Sequence, residues 1–362
     1  MGRQTFDIIV VGAGVAGLVA AATAATNAAA TGARVALVHA GLGTFVYGGG
    51  CIADLHGVAA DHPALALFRD ITQAAQVPYD GQPDRNQMVP TILGTLSPVC
   101  LAPRSLWNGR VQPGVDVAVV GIDGLSAFDA NFVAERLNRL SCGCRFLPRS
   151  IDLPRQDGLP HTALELANRF DRDSGFRQTL AERLVRVASD CEQVLIPAIL
   201  GQWSGDEHYA QLQAAVGCPV AEMTTMPPSA VGLRLSNRLL SYLRGRDVEL
   251  FGGYPLDRLD LTDGRCQGLT IATPGHARTL VARSVVLATG PHSGHLLPGW
   301  DGSCDAAQRP LTSSGAPLAA NLHIAGALAD PAAQHGGNGR AILSGHAAAL
   351  AALHREDDHA TH

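Results

Sequence analysis

Phe6 to Val11 reads FDIIVV and runs directly into Gly12-Ala13-Gly14-Val15-Ala16-Gly17. A short β-branched run of this kind suits a strand buried on both faces. The glycines match GxGxxG, and an alanine-rich helix is expected to about Thr31, where Gly32 stops it. Arg34 to His39 (RVALVH) then reads as a second strand, which completes a βαβ unit. In such a unit Gly12 permits the tight turn. Gly14 lets backbone N–H groups at the start of the helix, with Val15 and Ala16, reach a phosphate, and Gly17 allows close helix–strand packing. A phosphate-bearing cofactor is the expectation; the alternative is a glycine turn that only packs.

Moving outward, a dinucleotide site usually carries Asp or Glu at the end of the second strand to bind the adenosine ribose. This chain has His39, followed by Ala40 and Gly41. Either the ribose is held differently or the ligand has no adenosine half, so FMN and FAD both stand and the missing acid tilts the reading toward FMN. Next comes Gly48-Gly49-Gly50-Cys51. Consecutive glycines are entropically costly and mark close backbone approach. The expected approach is to the pyrophosphate or flavin ring, against the alternative of a loop tip. Cys51 either meets the flavin or fills space.

The chain returns to this domain near its end. Ser284 to Gly290 (SVVLATG) is an apolar strand ending in Ala-Thr-Gly, which puts Thr289 and Gly290 beside a bound flavin nucleotide. Leu322 to Gly326 is another short strand, followed by Asp330 and then by Gly337, Asn338 and Gly339 ahead of a helix from about Arg340 to Leu353. A glycine-rich helix start exposes free N–H donors, and its dipole favours the negative charge of a reduced flavin. Asp330 is the available substitute for a ribityl-binding acid, because Ala327 follows the strand directly. Between the two halves, strands at residues 115–120 and 194–200 and helices near 127–140 and 176–188 read as an inserted α/β module. Gly121 to Gly124 there is an anion site or, in the plainer reading, an ordinary βα turn. The expected fold is therefore α/β: a Rossmann-like flavoprotein of the two-dinucleotide-binding-domain type. Residues 1–98 and 226–362 form the flavin domain and 99–225 the inserted substrate or partner domain.

Composition narrows the chemistry. The chain has 362 residues, 46% of them hydrophobic and 16% charged, with a net charge of −5 and no long basic run, so no nucleic-acid partner is expected. All 27 basic residues are arginine, which removes Schiff-base chemistry and the P-loop lysine. The eight cysteines have no CxxC spacing, so no metal cluster is expected. Residues 8–33 carry no charge, but Gly12 and Gly14 and the threonine- and asparagine-bearing second half argue against a membrane span. A cytoplasmic protein, peripheral at the membrane only through a partner, is the expectation.

Beyond the generic pattern, the chain resembles the B-type subunit of the anaerobic glycerol-3-phosphate dehydrogenase family. The resemblance lies in the GxGxxG start, Leu93-Gly94-Thr95-Leu96, Val119 to Leu125, and Thr225-Met226-Pro227-Pro228-Ser229-Ala230-Val231-Gly232-Leu233-Arg234-Leu235. Asp330-Pro331 with Gly336-Gly337 closes the series. The family's usual Gly-Gly-Phe-Asp-Pro is Leu328-Ala329-Asp330-Pro331 in this chain. The resemblance implies an FMN- or FAD-binding partner of a catalytic flavoprotein subunit, with an iron–sulfur subunit taking electrons toward quinone. It also implies oxidation of sn-glycerol 3-phosphate to dihydroxyacetone phosphate.

A flavin dehydrogenase needs a base near the ring. By position, His292, His295 and His335 are the candidates, with Arg340 near the reduced flavin's charge. Structural histidines are the competing reading. Arg234 is expected to anchor a substrate phosphate or carboxylate, or to make an ion pair at the surface. Two other functional readings stand beside the family one: a self-sufficient dehydrogenase or reductase of a small hydroxy or unsaturated acid, and a structural subunit without flavin.

Overall fold

The computed structural model describes residues 4–53, 55–155, 158–291, 293–329 and 337–354. β1 (Gln4–Val11), α1 (Val15–Thr31) and β2 (Val35–His39) are the βαβ opening. Gly32 ends α1 in the left-handed region, its N–H bonded to the Ala28 carbonyl at 2.8 Å. The chain continues through α2 (Pro63–Ala74), β3 (Tyr79–Gly81), β4 (Gln87–Pro90), β5 (Leu96–Val99), β6 (Leu101–Pro103) and the single turn α3 (Arg104–Trp107). A second α/β run follows: β7 (Asp116–Ile122), α4 (Ala130–Arg139), β8 (Arg145–Ile151), α5 (Ala163–Arg172) and α6 (Ser174–Val187). It closes with β9 (Gln193–Pro197), α7 (Asp206–Val216) and β10 (Val220–Met223). After α8 (Ala230–Arg244) come β11 (Glu249–Gly252), β12 (Leu256–Thr262), β13 (Arg265–Thr273) and β14 (His276–Leu287). The last elements are β15 (Trp300–Cys304), β16 (Pro310–Thr312), β17 (Leu322–Ile324) and α9 (Gly337–Leu353).

The described residues form two units. The first takes those up to Gly43, residues 61–71 and those from Leu240 onward. Its sheet runs β11-β2-β1-β14-β13-β12, with β17 also on β14. β11, β2, β1, β14 and β17 are mutually parallel, whereas β12 and β13 extend the sheet as an antiparallel meander. The apolar runs of β1 and β2 are what a parallel sheet covered on both faces demands, and Ile9, Val10, Ala36, Leu37 and Val38 have no exposed surface. This is the Rossmann-like arrangement.

The second unit comprises residues 44–60 and 72–239. Its core is a parallel sheet in the order β10-β9-β7-β8, a doubly wound order, packed by Phe146, Leu166, Phe170, Leu180 and Leu184. It holds more chain than the module expected over 99–225. Ile52 pairs with Leu101 through bonds of 2.8 and 3.2 Å, β3 pairs with β6, and β4 pairs with β5, so the segment after Gly43 is tied into this unit. No helix among the described residues is long and apolar enough to cross a membrane.

Candidate cofactor site

Three chain segments distant in sequence meet at the start of α1. Gly12 (φ +114) follows β1, and its N–H bonds the Val38 carbonyl at 2.7 Å. A Cβ at Gly12 would run into the Ala288 carbonyl, and one at Gly17 would run into the Gly12 carbonyl. The Ala288 N–H bonds Val11 at 2.7 Å and the Ala325 N–H bonds Leu287 at 2.8 Å, so β1, β14 and β17 present their C-terminal ends side by side. Gly326, just beyond β17, has Ala16 within 3.0 Å of where its Cβ would be, and its N–H bonds Ser344 Oγ of α9 at 2.9 Å. Gly43 closes from the other side, 2.6 Å from Gly14 Cα by the same measure.

What this arrangement leaves open is the helix end itself. Gly14 is the N-cap of α1, no side chain caps it, and the first turn has no acid. The first-turn N–H groups of Val15, Ala16 and Gly17 therefore lack intrahelical acceptors and carry the positive end of the helix dipole. Among the described residues, chain neighbours and the helix's own backbone aside, no heavy atom lies within 4 Å of where a Gly14 Cβ would be. Nearby in sequence to Ala288, the Thr289 hydroxyl is buried with no hydrogen-bond partner among the described residues. An uncapped helix start, a clear space over its glycine and a buried, unsatisfied hydroxyl fit a phosphate-bearing nucleotide. Gly290 (φ +85) continues that strand end. Gly337, Asn338 and Gly339 form the first turn of α9 rather than a loop before it, at the positive end of that helix's dipole.

His39 ends β2 and is 9% exposed. Its Nδ1 lies 3.0 Å from the Gly41 carbonyl, so Nδ1 carries the proton and donates. Burial pulls its pKa below the ordinary value, against the raising effect of that bond. Ala40 is exposed beside it.

Other expected residues are placed differently. Gly49, Gly50 and Cys51 belong to the second unit, and their close approach is to their own chain. A Cβ at Gly49 would meet Leu106 and Thr224, and one at Gly50 would meet Leu235 and Tyr79, whose hydroxyl donates to the Gly50 carbonyl at 2.9 Å. The glycine run thus answers a packing constraint within the second unit. Burial pushes the Cys51 thiol up to about 12, which leaves it a packing group rather than a nucleophile. Arg234 is neither a substrate anchor nor a surface ion pair. It is 7% exposed, ion-paired with the fully buried Glu222, and bonded to the carbonyls of Leu200 at 2.6 Å and Gly201 at 2.9 Å and to Ser105 Oγ at 3.1 Å. Gly121 to Gly124 serves as a βα turn. The helix it leads to, α4, is capped by Asp129, which accepts from Asn131 at 2.9 Å and Phe132 at 3.1 Å, so a carboxylate already holds the place of an anion.

Of the acid–base candidates, His292, His335 and the ribityl candidate Asp330 lie outside the described residues. His295 sits in a short 3₁₀ turn and is exposed, and Arg340 is exposed in the first turn of α9. Two contributors escaped the sequence reading: Ser344, which holds Gly326, and Gly345, whose Cβ would run into the Ala16 carbonyl. The signal was present, because a glycine within an alanine-rich helix is costly and marks close helix contact.

The parallel sheet and the glycine turns meeting at an uncapped first helix define a Rossmann-like α/β fold. No protein-family model matches the chain. The resemblance read from the sequence is borne out by curated relatives. A probable B-type subunit of anaerobic glycerol-3-phosphate dehydrogenase from Halobacterium salinarum is 27% identical, covering 96% of this chain and 97% of that protein. The B-type subunit of the Yersinia enterocolitica anaerobic glycerol-3-phosphate dehydrogenase is 28% identical over 79% of this chain and 74% of that one. Among solved structures, a 3-ketosteroid Δ1-dehydrogenase from Sterolibacterium denitrificans matches with a TM-score of 0.33 and 17% identity, covering 80% of this chain. This chain spans only 48% of that enzyme's length. A geranylgeranyl bacteriochlorophyll reductase-like protein from Thermoplasma acidophilum matches with a TM-score of 0.39 and 10% identity over 96% of this chain and 78% of its own. At such scores the fold rests on the strand order described above.

Proposed function

We propose that this chain is the flavin-binding subunit of an anaerobic glycerol-3-phosphate dehydrogenase-like complex. It is an oxidoreductase subunit whose complex oxidises sn-glycerol 3-phosphate to dihydroxyacetone phosphate. The substrate's C2 loses a hydride equivalent and its hydroxyl loses a proton, and the electron pair passes toward quinone. A catalytic flavoprotein subunit and an iron–sulfur subunit are the partners, and attachment at the membrane comes through them. A bound flavin supplies the two-electron acceptor. The chain's own residues supply the grip: the first-turn N–H groups of α1 for phosphate, the Thr289 hydroxyl, which has no hydrogen-bond partner among the described residues, and the first turn of α9 with Arg340 as a positive end.

The observation that carries this reading is the likeness, across 96% of the chain, to a relative bearing that name. Two measurements test it. Flavin released from the denatured full chain is identified by chromatography, and tagged chain is captured from its native host and assayed with sn-glycerol 3-phosphate and a quinone analogue. Recovery of one flavin per chain, with a larger flavoprotein and an iron–sulfur protein, is expected. A colourless chain with no releasable flavin overturns the flavin assignment, and turnover by the isolated chain replaces the complex with a self-sufficient enzyme.

A further inference from the structure

We propose that Cys142 and Cys144 form a thiol–disulfide exchange site, reversibly oxidised by low-molecular-weight disulfides. The site lies wholly in the second unit and is independent of the flavin reading above. Leu140-Ser141-Cys142-Gly143-Cys144 is the turn that leads from α4 into β8, and both cysteines are thiols in the structure. Consecutive Cα atoms lie about 3.8 Å apart, so a residue and the next but one are separated by about 5–7 Å. That overlaps the range of about 4.4–6.8 Å that a disulfide spans.

The backbone curls the two side chains together. Ser141 (φ +49) and Gly143 (φ +85) both take the left-handed region, and the two thiols are close enough to hydrogen-bond one another. The turn is braced from behind. The Gly143 carbonyl accepts from the Gly114 N–H at 2.7 Å, and a Cβ at Gly143 would stand 2.9 Å from Pro113 Cβ. The Cys144 thiol donates to the Gln112 carbonyl at 3.1 Å. Both cysteines are half-buried, and Ser141, Gly143 and Arg145 around them are exposed, so a small disulfide can reach the pair. The other cysteines on this rim do not compete. Continuing the registers of β7 with β8 and β9 sets Val115 between Cys144 and Cys191, which puts these two about 10 Å apart. A disulfide cannot bridge that gap. Cys218, ahead of β10, lies one strand further away.

The two thiols divide the chemistry. Burial raises the pKa of Cys144 above its ordinary value, and the Cys142 sulfur adds to the rise, so Cys144 is the poorer source of thiolate and Cys142 attacks first. Cys142 Sγ loses its proton to solvent and attacks one sulfur of the disulfide RSSR. The RS–SR bond breaks, a mixed disulfide forms on Cys142, and RS⁻ leaves and takes up a proton. Cys144 Sγ then gives up its proton, attacks Cys142 Sγ and expels the second RS⁻. Two protein thiols and one RSSR thus become one protein disulfide and two RSH. The ring closed in this way takes in only Cys142, Gly143 and Cys144, so it constrains little of the unfolded chain. An exchange site, rather than a structural staple, is what such a bond provides.

The chain has no lysine, so trypsin cuts only after arginine, and cleavage at Arg139 and Arg145 releases Leu140–Arg145 with both cysteines and no others. The test incubates the folded full chain with oxidised glutathione, alkylates the remaining thiols and weighs that peptide by mass spectrometry. In wild type the peptide is expected to be two hydrogens lighter, with neither alkyl group nor glutathione, and reduced glutathione is expected to return it to the dithiol. In Cys144→Ser, Cys142 is expected to hold glutathione as a trapped mixed disulfide. In Cys142→Ser, Cys144 is expected to take up glutathione at least about threefold more slowly, because the loss of thiolate with rising pKa outweighs the gain in nucleophilicity. A wild-type peptide that stays doubly alkylated, carries glutathione on both sulfurs or is joined to another peptide overturns the proposal without any variant. A disulfide that reduced glutathione does not reopen overturns the exchange role, and equal rates in the two variants overturn Cys142 as the attacking thiol. None of these outcomes bears on the flavin reading, which the released flavin tests separately.

Discussion

A guanidinium that is 7% exposed beside a carboxylate with no exposed surface commits both groups to holding the second unit together. Arg234 and Glu222 sit twelve positions apart, a separation no local pattern connects; only the placement of β10 near the start of α8 brings them into contact. For that reason the arginine in the Gly232-Leu233-Arg234 segment read as an anchor for a ligand. Removing one partner of a buried pair leaves the other charge stranded. Arg234→Ala is therefore expected to cost about 3–5 kcal/mol of stability in chemical denaturation. Arg234→Met combined with Glu222→Leu is expected to lose much less than Arg234→Met alone, since a volume-matched apolar pair leaves no unpaired charge. An Arg234→Ala chain within about 1 kcal/mol of wild type would contradict the buried pair.

Helix α9 lies along α1 through small residues, and that contact sets how close the glycine-rich start of α9 comes to the cofactor turn. In an isolated helix Ala is more favourable than Gly by about 1 kcal/mol. At position 345 the sign is expected to reverse, because a Cβ would strike the Ala16 backbone, which cannot move as a flexible side chain would. Gly345→Ala should lower the thermal midpoint, and a stabilised variant would contradict the contact. On α4, Asp129→Ala should cost about 1 kcal/mol by freeing two first-turn N–H groups, read in the same assay. Elements with a strong local signature were legible: the opening βαβ unit, α4 and α6 all fall near their expected places. β14 was legible only from Ser284 onward, because Arg283 interrupts its apolar run. The strand continues because β1 pairs with it from Leu280 to Leu287, a long-range fact. β12 escaped because its residues are mostly half-buried or exposed, and it exists through pairing with β13.

At the scale of the whole molecule, buried titratable groups confine stability from both sides of neutrality. Burial lowers the pKa of His39 and of His346; the nearby His62 adds to the lowering at His346, whose Nδ1 faces Thr23 Oγ1 at 3.1 Å. As pH falls below 6.5, the unfolded chain takes up protons at these rings before the folded chain does, so stability drops through the folded values. Burial acts oppositely on thiols, raising Cys51 to about 12 and Cys266 to about 11. Above their ordinary value of 9.0 the unfolded chain releases those protons first, and stability drops again toward the folded values. The carboxylates held low by hydrogen bonds, Asp116, Asp190 and Asp301, start from 3.8 and leave the region above about pH 5 untouched. The thermal midpoint of flavin-free chain, measured from about pH 5 to pH 10.5, is thus expected to plateau between about 6.5 and 9. Combining His39→Gln with His346→Gln should flatten the acid limb alone, and Cys51→Ala with Cys266→Ala should shrink the alkaline limb alone, the remainder coming from Cys191 and the other buried thiols and phenols. A wild-type midpoint that holds level from about pH 6.5 down to 5 would mean that the two rings are not buried as neutral groups. The neutral Nδ1-protonated state assigned to His39 would then have to be given up.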